Sequence, residues 1–222
     1  EESRLGKGAE DRMFRVVYPK MFEGSKYANR LPIGKDDILK NFKYDVIKRF
    51  YNDWYRPDLQ AIVVVGDIDV NEIEQKIKET FDDIPARVEH RKREVFTVPD
   101  HAEILSVVAK DKETAFPSVQ VMYKKDLMPQ ATIGDYCRYI NTRLFTGMLN
   151  NRLRELTLKP NPPFVNAGSF YANSYARTKD VYQLYANSSD TGMARTLYTL
   201  LEENRRVLLH GFTLAEFDLQ KK

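Results

Sequence analysis

NFKYDVIKRFYNDWYRPDLQAIVVVGDID (41–69) is the stretch from which the rest of the chain is read. Within it Val46, Ile47, Phe50, Tyr51 and Trp54 recur at three- and four-residue steps, the spacing of one helical face. Pro57 ends that helix, because proline lacks an N–H and its ring clashes with the preceding turn. LQAIVVVGDI (59–68) is apolar at consecutive positions, as in a strand covered on both faces. Asp69, with Glu72 three residues on, has the form of a capping box and starts a second helix through Ile73, Ile77 and Phe81. Helix, buried strand, helix is the pattern of an α/β or α+β layer. The stripe is therefore expected to be core, with Trp54 largely buried against the strand, each large side chain contributing about 1.5–3 kcal/mol.

Working outward, residues 12–34 hold Tyr, Phe, Pro and Gly without a sustained period and read as a short helix running into an ordered loop. Asp36 or Asp37 caps a short turn in DDILKNF (36–42). FDDIPA (81–86) closes this first unit. RVEHRKRE (87–94) is a charge run with no apolar period, diluted by Glu89 and Glu94; it reads as a solvated linker rather than a basic patch. Beyond it EVFTVP, AEILSVVAKD and SVQVMYKK are three strand-like runs separated by turn residues, which suggests an antiparallel meander. Thr132 with Asp135 starts a long helix whose apolar face is Ile133, Tyr136, Ile140, Leu144 and Met148 and which runs to about Leu156. NAGSFYANSY and VYQLYANSS are two further strands. Asp190 or Thr191 begins another helix, Gly211 ends it, and Thr213 with Glu216 caps a last one. The reading is α+β in two units, 1–86 and 95–222, joined by a linker at 87–94, with both chain ends reading as interior to something longer.

Composition narrows the function classes. The chain has 222 residues, 42% of them hydrophobic, enough for a packed core. No run approaches the roughly 18 apolar residues of a membrane span. A net charge of +3, from 35 basic and 32 acidic residues, gives no case for nucleic acid. The single cysteine, Cys137, excludes an intrachain disulfide and a multi-thiolate zinc site; its apolar neighbours Ile133, Tyr136 and Ile140 make it a core thiol.

The residues that carry chemistry are few. The three histidines, His90, His101 and His210, fall in a linker, a turn and a helix end, and no pair has the i, i+4 spacing that places two imidazoles on one metal. There is no G-x-S-x-G, no P-loop and no G-x-G-x-x-G. Asp67 and Asp69 read as a turn and a helix cap rather than a cation site. From the residues alone, no self-contained active site emerges. Glu1 and Glu2, at the very start, are either surface charge or the end of a metal site whose other ligands lie elsewhere.

Taken in order, GSKYANRLPIG (24–34) and FYNDWYRPDLQAIVVVGDID (50–69) followed by FDDIP resemble the insulinase/pitrilysin family of zinc peptidases, the inverted H-x-x-E-H enzymes. LFTGMLNNRLRELTLKPNPPF (144–164) resembles, more loosely, the domain that follows in those proteins. The resemblance implies repeated α+β domains, each a mostly antiparallel sheet backed by helices. It implies that 1–86 is the C-terminal part of the zinc-bearing peptidase domain and 95–222 the following, non-catalytic, homologous domain. It also implies zinc held by the two histidines of the motif and by one glutamate far downstream, in a stretch of the form E-x-x-V-x-x-x-E. EESR fits the end of that stretch, which gives Glu2 the ligand position and Glu1 an exposed one; Ser3 stands where many members have tryptophan. The histidine motif and its water-activating glutamate do not occur in this chain, so catalytic residues are expected upstream of residue 1, and the chain by itself is expected to bind no catalytic zinc and to cleave nothing. The expected function is part of a zinc endopeptidase acting on peptides or unfolded proteins in a closed chamber; the alternative is a non-catalytic half or subunit serving binding or assembly. The remaining domains of the same chain, or a homologous subunit, are the implied partners, and the exported bacterial relatives imply a periplasmic setting.

Overall fold

The computed structural model describes residues 8–85, 91–189 and 192–221. The chain groups into two compact units, one of residues 1–31 with 95–222 and one of residues 32–94. The expected linker at 87–94 lies partly outside the described residues, and residues 8–31 pack with the later block.

The later block is built on a three-stranded antiparallel sheet of order β1-β3-β2, with β1 at Ser118–Lys125, β2 at Asn166–Ala176 and β3 at Lys179–Asn187. In register Val121 faces Leu184 and Ser169 faces Leu184 from the other side, so alternate residues of β3 share one face. Leu184 and Ala186 on that face are fully buried. Gly168 lies opposite Tyr185, whose ring occupies the space a β-carbon would need: a Cβ there would sit 2.7 Å from the ring.

Helix α5 (Ile133–Thr157) and helix α6 (Met193–His210) cover the buried face. Thr132 accepts from the Asp135 backbone N–H and Asp135 returns a bond to the Thr132 N–H, so the expected capping box forms as read. Leu149 and Leu153 of α5, Leu200 of α6, Phe164 of the intervening loop and Leu184 and Ala186 form the core. Helix α6 ends at Gly211, with φ 65°, the left-handed value glycine adopts freely. Helix α7 (Leu214–Gln220) carries the second capping box, Thr213 with Glu216.

Helix α1 (Ala9–Met21) and a 3-10 turn at Lys26–Asn29 belong to this block. Phe22, Val98 and Ala176 form a second buried cluster with Tyr18, Tyr27 and Tyr175 packed around it. Gly24 has φ 80°, and a β-carbon there would meet Pro99 at 2.8 Å. Two requirements, backbone sign and space, therefore fix glycine at the start of GSKYANR.

Residues 32–94 contain α2 (Asp36–Asn41), α3 (Tyr44–Trp54) and α4 (Val70–Phe81). Several expectations change here. Residues 60–65 form no strand, and Val63 and Val65 expose 82% and 91% of their surface. A strand exists through its ladder, and no neighbouring strand pairs with this run among the described residues. The stripe Val46, Ile47, Phe50 and Tyr51 on α3 is exposed for the same reason, and Trp54 is half-buried rather than core, lying under the Arg91 guanidinium. Two of the three expected strands before α5, EVFTVP and AEILSVVAKD, also form no ladder; only SVQVMYKK does. Cys137 is exposed, not buried, on the face of α5 that also leaves Ile133 and Tyr136 exposed.

Candidate functional site

Glu2, the residue assigned a zinc-ligand position, and its neighbour Glu1 lie outside the described residues, as does His90. His101 sits in a turn with Nδ1 2.6 Å from the Glu103 carbonyl oxygen, and His210 is the exposed last residue of α6. Asp69 accepts from the backbone N–H groups of Asn71 and Glu72 at 2.8 and 3.0 Å, so its carboxylate is used as a helix cap. No group of three or more His, Cys, Asp and Glu side chains able to hold a metal occurs among the described residues. The described residues therefore do not fit a zinc ion by themselves, and a catalytic site needs three protein ligands with an open position.

What the fold builds instead is a cleft of about 490 Å³ between α5 and the edge of β2, lined by Tyr139, Arg143, Asn150, Ser169, Tyr171 and Gln220 among others. Asn150 organises its floor. The side-chain amide donates to the Ser169 carbonyl at 3.0 Å and accepts from the Ser169 N–H at 2.6 Å. One side chain thereby satisfies both backbone groups of an edge-strand residue, as a neighbouring strand would. Nothing in the sequence singled out Asn150; the available signal was a polar residue beside Met148 and Leu149 on the buried side of a long helix. Two residues further along β2, the Tyr171 hydroxyl donates to Asp180 at 3.0 Å, and burial together with that carboxylate pushes its pKa up to about 12. Asp180 also accepts from the Met128 N–H at 2.8 Å, closing the cleft's lower rim.

A second groove, of about 390 Å³, lies between α5, α6 and α7 and is lined by charge. Arg152 holds Glu216 through two bonds of 2.5 and 2.9 Å, donates to the Gly211 carbonyl at 3.0 Å and stacks over Phe212 at 4.7 Å. Arg152 draws the Glu216 carboxyl down to about 2. Its role is to fasten α7 and the α6–α7 turn to α5.

The sheet face turned away from α5 and α6 carries a half-exposed aromatic pair, Phe170 and Tyr185, with ring centroids 6.2 Å apart. The clefts hold hydrogen-bonding and aromatic groups, and neither pairs a nucleophile with a base.

Comparison with known proteins places the chain in a family. Residues 41–222 match the family described as the Peptidase M16 inactive domain. The Arabidopsis thaliana "Zinc protease PQQL-like" is 34% identical over 165 residues, covering 74% of this chain and 17% of that protein. The Escherichia coli "Probable zinc protease PqqL" is 25% identical, covering 98% of this chain and 23% of its own length. The crystal structure of the first half of the periplasmic protease PqqL from Escherichia coli superposes with a TM-score of 0.79 at 22% identity, over 98% of this chain and 46% of that one. A mutant of the ferredoxin protease FusC, solved in complex with Arabidopsis ferredoxin, gives 0.81 at 18% identity, over 98% of this chain and 24% of that one. These structural likenesses show the fold, and the chain spans about a fifth of the length of the curated relatives it matches. On the match across 41–222 and the relationship to the Arabidopsis protein, the chain belongs to the peptidase M16 family.

Proposed function

We propose that this chain is a non-catalytic portion of a zinc endopeptidase, in which Glu2 contributes one carboxylate to the metal and the rest of the chain serves substrate contact and assembly. The observation that carries the reading is the family match across residues 41–222 together with relatives named as zinc proteases. In sequence terms, 1–86 is the end of the zinc-bearing domain, 87–94 a linker and 95–222 the following homologous domain. That division rests on the sequence pattern, and residues 8–31 pack with the later block. The histidine pair and the general base belong to sequence upstream of Glu2.

The substrate class is peptide or unfolded protein, which the uncovered aromatic sheet face and the β2-edge cleft are suited to meet. The partners are the remaining domains of the same chain or a homologous subunit. The exposed apolar surface of residues 32–94 supports this, because soluble proteins rarely leave so much apolar surface without a partner. A periplasmic setting is proposed on the likeness to a protease described as periplasmic.

The test is Glu2→Gln in the full-length protein, followed by metal analysis after dialysis and turnover of a quenched-fluorescence peptide library. Loss of most of the zinc and of turnover is expected; full zinc content in the variant overturns the assignment of Glu2.

A further inference from the structure

The charged groove between α5, α6 and α7 contains a carboxylate that the fold leaves incompletely bonded. Glu203 of α6 is only 5% exposed and lines that groove. Its Oε1 accepts from an Nη of Arg206 at 2.6 Å, while its Oε2 is buried and has no hydrogen-bond partner. Buried polar atoms in native proteins are nearly always bonded, and a charged one without a donor is costly. The neighbouring cations are spent elsewhere. Arg152 gives two bonds to Glu216 and one to the Gly211 carbonyl, and Arg206 holds the other oxygen of Glu203. The Glu216 bonds raise the Arg152 pKa, and the Glu203 and Glu155 charges add to that rise. Arg152 thus balances the charge of Glu203 without giving it a hydrogen bond. Glu155, exposed on α5, lines the same groove. Carboxylates from two helices therefore border one space of about 390 Å³. One water takes about 30 Å³, so the space admits a long side chain.

We propose that this groove is a subsite for a lysine side chain of bound polypeptide, its ammonium donating to Glu203 Oε2 and to Glu155. The methylene stem lies along Leu156, which supplies an apolar wall. An ammonium is a compact centre with three rotatable donors, which suits oxygens carried by separate helices. A planar guanidinium suits a single carboxylate, the arrangement Arg152 already makes with Glu216. Lys159, exposed on the same groove, is a like charge that opposes the guest. The lysine occupant rests on the proposed contact with polypeptide; the cation chemistry of the groove does not.

The experiment uses the full-length protein and ligand-observed NMR titration. The probes are a Gly-Ser peptide with one central lysine, the same peptide with norleucine, which keeps the stem and lacks the ammonium, and n-butylammonium. The lysine peptide is expected to bind about tenfold more tightly than the norleucine peptide. Glu203→Gln, nearly isosteric, is expected to abolish that margin. Glu155→Gln is expected to narrow it about twofold, and Lys159→Met, which removes a like charge, to widen it about twofold. Glu202→Gln, exposed one position away on α6 and outside the groove, should leave it unchanged. Equal binding of the two peptides overturns the subsite, and so does a margin that survives Glu203→Gln. If Glu203→Gln does not fold, the opposite signs expected of Glu155→Gln and Lys159→Met decide: a margin unmoved by both overturns the subsite. n-Butylammonium separates the two readings. Glu203-dependent binding of the free amine without the lysine peptide overturns polypeptide as the occupant, and binding of neither overturns the cation site itself.

Discussion

Residues 32–94 and the block that follows residue 95 both carry helices with apolar faces, yet only the later block closes a core among the described residues. In α5 the buried residues Leu149 and Leu153 meet Leu184 of β3 and Leu200 of α6, all within the same block. In α3 the residues Val46, Ile47, Phe50 and Tyr51 keep the same helical spacing and stay exposed. The difference teaches that periodicity specifies a face and says nothing about whether the surface it needs lies in the same stretch of chain. The later block brings sheet and helices together; residues 32–94 bring helices and an unpaired apolar run.

The largest effect that can break this comparison is a pair of truncations measured by denaturant unfolding of this chain. Leu153→Ala removes a fully buried side chain and is expected to cost about 2–5 kcal/mol. Phe50→Ala, on the exposed α3 stripe, is expected to change the stability of the chain by no more than about 0.5 kcal/mol. A comparable loss from both would mean that α3 is packed after all.

A smaller effect concerns the fastening of α7. Arg152→Ala strands Glu216 and the Gly211 carbonyl, and charged hydrogen bonds of this kind are worth about 1.5–3 kcal/mol. The same unfolding measurement checks it, and a neutral result would show that the α6–α7 turn holds without Arg152.

The smallest effect is in pH. Arg152 lowers the Glu216 carboxyl from an ordinary 4.5 to about 2, so the folded state prefers the ionised form. The stabilisation is therefore fully present above about pH 4.5 and is lost as pH falls toward about 2. Unfolding curves across that window should lose part of their acid slope in Glu216→Gln. An unchanged slope would assign the acid sensitivity to other carboxylates, with Asp111, held down to about 2 by Arg12, the first to examine.

Local chemistry was legible where it is self-contained. Thr132 with Asp135 and Thr213 with Glu216 cap their helices as read, Gly211 ends α6, and SVQVMYKK is β1 residue for residue. Each of these depends on a few neighbours in sequence. The α+β class followed from the same signals, and the family from GSKYANRLPIG and the 50–69 stretch. The illegible parts depend on distant partners. AIVVV looks like a buried strand in any context, but among the described residues it has no ladder partner. Cys137 shares an apolar face with Ile140, yet nothing among the described residues covers that face. Asn150 and Ser169 meet across a helix and a strand edge, a pairing with no spacing to reveal it. Arg12 and Asp111 meet across 99 positions for the same reason, joining helix α1 to the block that follows residue 95.

The proposal that further domains or a partner subunit cover the apolar surface of residues 32–94 is tested most directly by hydrogen exchange of the amides of residues 60–65. In this chain alone those amides have no ladder partner among the described residues and should exchange at nearly the rate of an unstructured peptide. In the full-length protein they should be protected at least a hundredfold, on the order of 3 kcal/mol of opening free energy. Strong protection in this chain alone, or free exchange in the full-length protein, would contradict the account.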